Sequence, residues 1–275
     1  MATSFVKPTI RAILIVILLL TIGAPFVWML LSSLQPNSAL IQPGNFFSPA
    51  LATFGNYVKL PTATQYLLLT RNSLLVALIS TAIAIPLALL AAYSVFRTRY
   101  RGRAAIYNLL LVVYIFPGVL LLAPLFGLFA VTGLLNSWAS LVIMNVTFAV
   151  PFSVWLMRGF FTSIPHGIEE AAAIDGATDM QILTKVIVPL TAPGIVVTAT
   201  YTFVLSWTEF MFASVFIIDD RLKTLPVGLE ALVSQYSIDW GLLSAAAVMA
   251  ALPVVIIFAF AGRYFVEGIT SGAGK

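Results

Sequence analysis

The chain has 275 residues, 61% of them hydrophobic and 9% charged, with 14 Lys and Arg against 10 Asp and Glu. A soluble domain carries about 25% charged residues, so this composition cannot clothe a water-facing surface and excludes an ordinary soluble enzyme or nucleic-acid-binding domain. Cysteine is absent, which excludes disulfides and thiolate metal sites.

A bilayer core of roughly 30 Å takes about 20 apolar residues in a helix. Residues 12–31 form the first such run, behind Lys7 and Arg11. It exceeds the roughly 7 to 15 apolar residues of a signal-peptide core and lacks a convincing small-residue cleavage site, so it reads as a retained helix. The polar segment 32–71 is too short for a core of its own. A second span covers 73–96, between Arg71 and Arg97. The tight loop carrying Arg97, Arg99, Arg101 and Arg103 suggests nucleic acid at first sight, but between two spans such a cluster fixes topology and meets anionic lipid.

From Ala104 to Met157 there are 54 residues without a charge, too many for one span and too few for three. They read as spans over 105–130 and 138–157, broken where Gly133, Asn136 and Ser137 supply turn chemistry. Asn145 in the fourth span reads as an interhelical hydrogen bond before it reads as a ligand. A fifth span covers 190–217, interrupted by Glu209, and a sixth 240–262, where Ala247 and Ala251 offer a small-residue packing face. Pro25, Pro86, Pro117, Pro124, Pro151 and Pro253 fall within these spans. Each removes a helical hydrogen bond and permits a kink, although proline is frequent in transmembrane helices generally. The expected architecture is all-α: one polytopic domain over 1–275 with six transmembrane helices. With the N-terminus inside, ten of the 14 Lys and Arg are cytoplasmic, leaving Lys59, Arg71, Arg221 and Lys223 outside. Both termini are then cytoplasmic.

The cytoplasmic segment 159–188 carries the most informative pattern. Pro165 suits the first turn of a helix, Glu169 and Glu170 follow, Ala171 to Ala173 favour helix strongly, and Gly176 ends it where a left-handed residue is needed. The pattern predicts a short helix, a turn and a second short helix, with small alanines that allow another protein to approach closely.

Glu170-Ala171-Ala172, then Gly176, then Val186-Ile-Val-Pro189 resembles the EAA loop of permeases in bacterial and archaeal ATP-binding-cassette importers. Phe54-Gly-Asn-Tyr57, Arg71-Asn-Ser-Leu74, Phe160-Phe161, Ile174-Asp-Gly-Ala177, Pro189-Leu-Thr-Ala-Pro-Gly194, Trp207-Thr-Glu-Phe210, the stretch from Ala245 to Pro253 and Gly268-Ile-Thr-Ser-Gly272 extend the likeness to the carbohydrate-uptake branch, in particular to the second, six-helix permease of maltose-type systems. Two departures are Gly167, where the family usually has a carboxylate, and Val186 and Val188, where it usually has Ile and Leu. The resemblance implies a coupling helix whose residues Glu169, Glu170, Ala171, Ala172, Asp175, Gly176 and Pro189 serve contact with an ATPase subunit. It also implies two permease subunits, this chain and another that is expected to be a different chain, two ATPase subunits and an extracytoplasmic substrate-binding protein, in the cytoplasmic membrane of a bacterium or archaeon.

Nothing points to nucleotide chemistry in this chain. Its only Gly-Lys pair, Gly274-Lys275, lacks both the correctly spaced upstream glycine and the following Ser or Thr of a phosphate-binding loop. ATP and Mg²⁺ are therefore expected on the partner ATPase, and no cofactor on this chain. Glu209, flanked by Trp207 and Thr208, has two readings: hydrogen bonding to sugar hydroxyls with the indole stacked on a sugar face, or a polar network that joins this subunit to its partner permease. His166, the lone histidine, has no partners for metal or acid-base chemistry. An ion-driven transporter would show acidic relays and paired broken helices, and an intramembrane enzyme a cluster of reactive groups. Neither is seen. Cargo other than sugar, such as glycerol phosphate or a polyamine, is compatible with the same loop.

Overall fold

The structure, a computed structural model, describes residues 8–44, 47–233 and 238–273, with side chains between residues 10 and 264. Lys7, Gly274, Lys275, part of the segment 218–239 and the side chains of Gly268-Ile-Thr-Ser-Gly272 lie outside the described residues. Among those residues the chain is helical, apart from an isolated bridge between Val233 and Ile238. The principal elements are α1 (Pro8–Ser33), α2 (Gly55–Ala63), α3 (Tyr66–Arg97), α4 (Arg103–Ile115), α5 (Leu122–Val131), α6 (Trp138–Ser163), α7 (His166–Ile174), α8 (Ala192–Trp207), α9 (Met211–Phe216), α10 (Leu225–Glu230) and α11 (Trp240–Ala273).

Five of the expected six spans are helices long and apolar enough to cross a membrane: α1, α3, α6, α8 continued by α9, and α11. The third is not the single helix expected over 105–130. It is a pair, α4 and α5, bent by 88°. The break comes at Pro117: a proline disfavours the helical region for the residue before it, and Phe116 leaves that region at φ −65°, ψ 128°. Pro25, Pro86, Pro151 and Pro253, by contrast, sit inside continuous helices, and Pro124 lies in the first turn of α5, where a missing N–H costs nothing. The break before α6 falls where expected: Gly133 and Asn136 both take positive φ, 71° and 56°.

The chain forms two compact units. In the unit drawn from Met1–Leu67 and Leu229–Leu252, Asn56 caps the end of α1 by donating from Nδ2 to the carbonyls of Ser33 (2.9 Å) and Gln35 (2.8 Å). The Tyr57 hydroxyl lies 2.7 Å from Ser33 Oγ. A Cβ on Gly241 would stand 2.5 Å from the Gln35 carbonyl oxygen, so the start of α11 can pass over this cap only as glycine. In the same unit Ala245 and Ala246 are fully buried, whereas Ala247 and Ala251 are half-buried.

The unit drawn from Leu68–Gly228 and Pro253–Lys275 holds most of the functional residues. Along α3, Ser73, Ala77, Ser80, Ala84, Ala88 and Ala92 are at most 1% exposed, a stripe of small residues that lets neighbouring helices approach closely. Asn72 donates to the carbonyls of Arg221 (2.8 Å) and Lys223 (2.9 Å), and Ser73 Oγ accepts from Leu225 N (2.7 Å), which pins the chain leading into α10. Asn136 Oδ1 accepts from the amides of Ile218 and Asp219. α6 and α8 meet at Gly194, where a Cβ would stand 2.5 Å from the Phe160 ring.

Candidate coupling site and translocation cavity

The candidate coupling segment begins with Pro165, one residue ahead of the position its sequence suggested, and α7 runs from His166 to Ile174. Its end is a Schellman motif: Ala177 N donates to the Ala172 carbonyl and Gly176 N to that of Ala173, both at 3.0 Å, with Gly176 at φ +85°. The next helical turn starts with a capping box in which the Thr178 amide donates to Gln181 Oε1 (2.9 Å) and Thr178 Oγ accepts from the Gln181 amide. A π-turn over Leu183–Ile187 leads into Pro189, which is exposed.

The helix presents two different faces. Glu170, Ala171, Asp175 and Gly176 are exposed, together with Ile168, Ile174 and Met180. Glu169 and Ala172 point the other way. Ala172 packs on a core that includes Met157, Phe161 and Ile182, and Glu169 Oε1 accepts from Arg97 Nε at 2.8 Å, with side-chain exposures of 2% for Arg97 and 13% for Glu169. Arg97 Nη1 also donates to the carbonyls of Phe161 (3.0 Å) and Ile164 (2.9 Å) at the end of α6. One guanidinium thus ties α3, α6 and α7 together. Arg97 was grouped in sequence with its exposed neighbours Arg99, Arg101 and Arg103; the signal that sets it apart is its place at the end of the hydrophobic run, the last residue of α3 and two positions after the buried Val95.

The intramembrane candidates converge in part. A cavity of about 440 Å³ is lined by Asn145, Thr208 and Glu209 together with Tyr114, Phe116, Gly118, Phe148, Tyr201 and Phe212. Both helix breaks open onto it, the one at Phe116 and Gly118 and the one between α8 and α9. Non-helical backbone at membrane depth is tolerated where it lines a cavity or is buried in protein. Gly118 allows this approach without displacement: a Cβ there would stand 3.2 Å from both Met211 Cε and Phe148 Cζ, so those side-chain tips would have to give by a few tenths of an ångström.

Glu209 is not inside a helix as expected but in the break, where its carboxylate accepts from the amides of Phe212 (2.6 Å) and Ala213 (3.0 Å) and caps α9. Asn145 makes the expected interhelical bond, donating to Ser80 Oγ at 3.4 Å, and also lines the cavity. Trp207 is 3% exposed and its ring stacks on Phe203 at 5.9 Å, so the indole is outside the cavity lining. The aromatic walls come instead from Tyr114, Phe116, Phe148, Tyr201 and Phe212.

Residues 84–271 match the family model described as binding-protein-dependent transport system inner membrane component. The chain belongs to that family. This permease is 37% identical over 270 residues to the sulfoquinovosyl glycerol transport system permease protein SmoH of Agrobacterium fabrum, covering 98% of this chain and 94% of that protein. It is 34% identical to the trehalose/maltose transport system permease protein MalG of Thermococcus litoralis, covering 91% of each. In fold the permease resembles a chain of a bacterial ABC transporter involved in the import of the acidic polysaccharide alginate, with a TM-score of 0.83 and 23% identity over 96% of this chain and 100% of that one. It is thus an ABC importer permease with sugar-transport relatives.

Proposed function

We propose that this permease forms the passage for a sugar or oligosaccharide, received from an extracytoplasmic binding protein, and that α7 couples the passage to ATP hydrolysis on separate ATPase subunits. A second permease chain completes the assembly, and both termini lie in the cytoplasm. The observation that carries the reading is the meeting of two broken spans at one aromatic-walled cavity. Aromatic faces suit the C–H faces of sugar rings, while Asn145 and Thr208 supply hydrogen-bonding groups. Among the described residues the lining holds no Lys or Arg, and its one carboxylate, Glu209, is already engaged by backbone amides. A phosphate-bearing or polycationic cargo would find little to bind there, which favours a hydroxyl-rich cargo over glycerol phosphate or a polyamine.

The test leaves the Glu209 cap intact. Thr208 lines the cavity, and among the described residues its hydroxyl donates to the Val204 carbonyl at 2.8 Å. Thr208→Phe should assemble normally and retain basal ATP hydrolysis by the complex, yet lower sugar uptake at least tenfold. Uptake equal to the parent would remove this cavity from the transport path.

A further inference from the structure

A second pocket, of about 270 Å³, lies where the end of α3, the start of α4 and the end of α6 come together. Its polar lining is Arg103, Arg158 and Thr162, and its apolar wall includes Phe96 and Tyr107. Among the described residues each guanidinium is held by a single contact. Arg158 lies over the Tyr107 ring, 5.9 Å from its centroid, and Arg103 Nη1 donates to the Thr98 carbonyl at 3.1 Å. Among the described residues neither has a carboxylate partner, and the nearby Glu169 is taken by Arg97. Two oriented guanidinium groups around a concave space, with no anion to neutralise them, form a receptor for a phosphate oxygen cluster. The first turn of α4, which follows Gly102 with no side-chain cap, adds potential of the same sign.

Free phosphate would satisfy the same charges, but the surroundings select a lipid. One turn deeper on the same side of α6 as Arg158, Trp155 is 47% exposed and packs on Phe152 with ring centroids 5.3 Å apart, an apolar surface against which an acyl chain can lie. We propose that this pocket binds the phosphate of an anionic phospholipid, with Arg103 and Arg158 as its ligands. The site also bears on coupling, because α6 passes from Arg158 to α7 in a few residues and a bound headgroup would brace that end. The inference assumes that the chain spans a membrane, but it does not depend on the cargo or on the ATPase contact.

The permease, purified with the subunits that accompany it, is titrated with phosphatidylglycerol and with phosphatidylcholine, and retained lipid is counted by native mass spectrometry. A hydrogen bond to a charged group is worth about tenfold or more, against roughly fivefold for an arginine that only lies near the membrane surface. Arg103→Gln and Arg158→Gln should each lower phosphatidylglycerol retention by at least about tenfold, and the double variant by on the order of 100-fold. Arg99→Gln and Arg101→Gln remove the same charge from the same loop and should cost no more than the roughly fivefold of diffuse attraction. Equal losses from all four single variants would mean diffuse attraction and would overturn the proposal. So would equal retention of both lipids. Glycerol phosphate that displaces the lipid at similar concentration would assign the site to free phosphate and overturn the lipid source.

Discussion

Arg97 concentrates more structural consequence in one side chain than any other residue of the coupling region. Its Nε serves Glu169 and its Nη1 serves the carbonyls of Phe161 in the last turn of α6 and of its C-cap Ile164, where helical partners run out. Removing one partner of a buried ion pair costs about 3–5 kcal/mol, largely because the other charge is left behind. Arg97→Met should therefore lower the thermal stability of the assembled complex more than Glu169→Gln, and the double variant should cost clearly less than the sum. Additive losses in a double-mutant cycle would show that the two groups do not act as a pair. The contribution of Arg97 is hard to see in sequence, because four arginines at alternate positions look alike until the end of α3 is placed against α6 and α7. Asn145 and Gly176 were legible by contrast, since their roles follow from local chemistry: an amide in a span seeks a neighbouring helix, and a glycine after an alanine-rich helix takes positive φ.

Among the elements, the contact of α6 with α8 has the narrowest tolerance. A Cβ on Gly194 would enter the Phe160 ring near its attachment point, where no rotation of a flexible tip can relieve it. Gly194→Ala should therefore destabilise by about 1–3 kcal/mol, the usual cost of overpacking, read as a lower melting temperature of the complex. Phe160→Leu in the same chain should recover part of the loss; a neutral Gly194→Ala would refute this close approach. The six hydrophobic runs were legible because the bilayer imposes length and composition on each. The two breaks were not. Composition records that 105–130 and 190–217 are apolar, but four other prolines sit in continuous helices, and only packing around the cavity makes Pro117 end one. Glu209 looked like an intramembrane charge in search of a ligand. Once α8 stops at Trp207 the same carboxylate becomes the cap of the next helix.

For the whole molecule, orientation and coupling decide the account. The Lys and Arg distribution predicts that Thr98 and the coupling segment face the cytoplasm and that Asp220 faces outward. The absence of cysteine allows single cysteines to be introduced on a clean background. An impermeant thiol reagent applied to intact cells or spheroplasts should label Asp220→Cys and spare Thr98→Cys, whereas the reverse pattern would invert the topology. The central claim is that α7 transmits ATPase closure to the passage, and its exposed face and its terminating glycine make separate contributions. Ala171→Leu enlarges the docking face without touching the core behind Ala172. Gly176→Val has open space for its side chain but forces a β-branched residue to positive φ, at a cost of about 1–2 kcal/mol. Both lesions lie outside every span, so both variants should insert normally. The deciding measurement is ATP hydrolysis by the purified complex in liposomes, with and without the binding protein loaded with its cargo. We expect that both variants lose the stimulation by loaded binding protein; stimulation and import equal to the parent in both would show that this loop is not the coupling element.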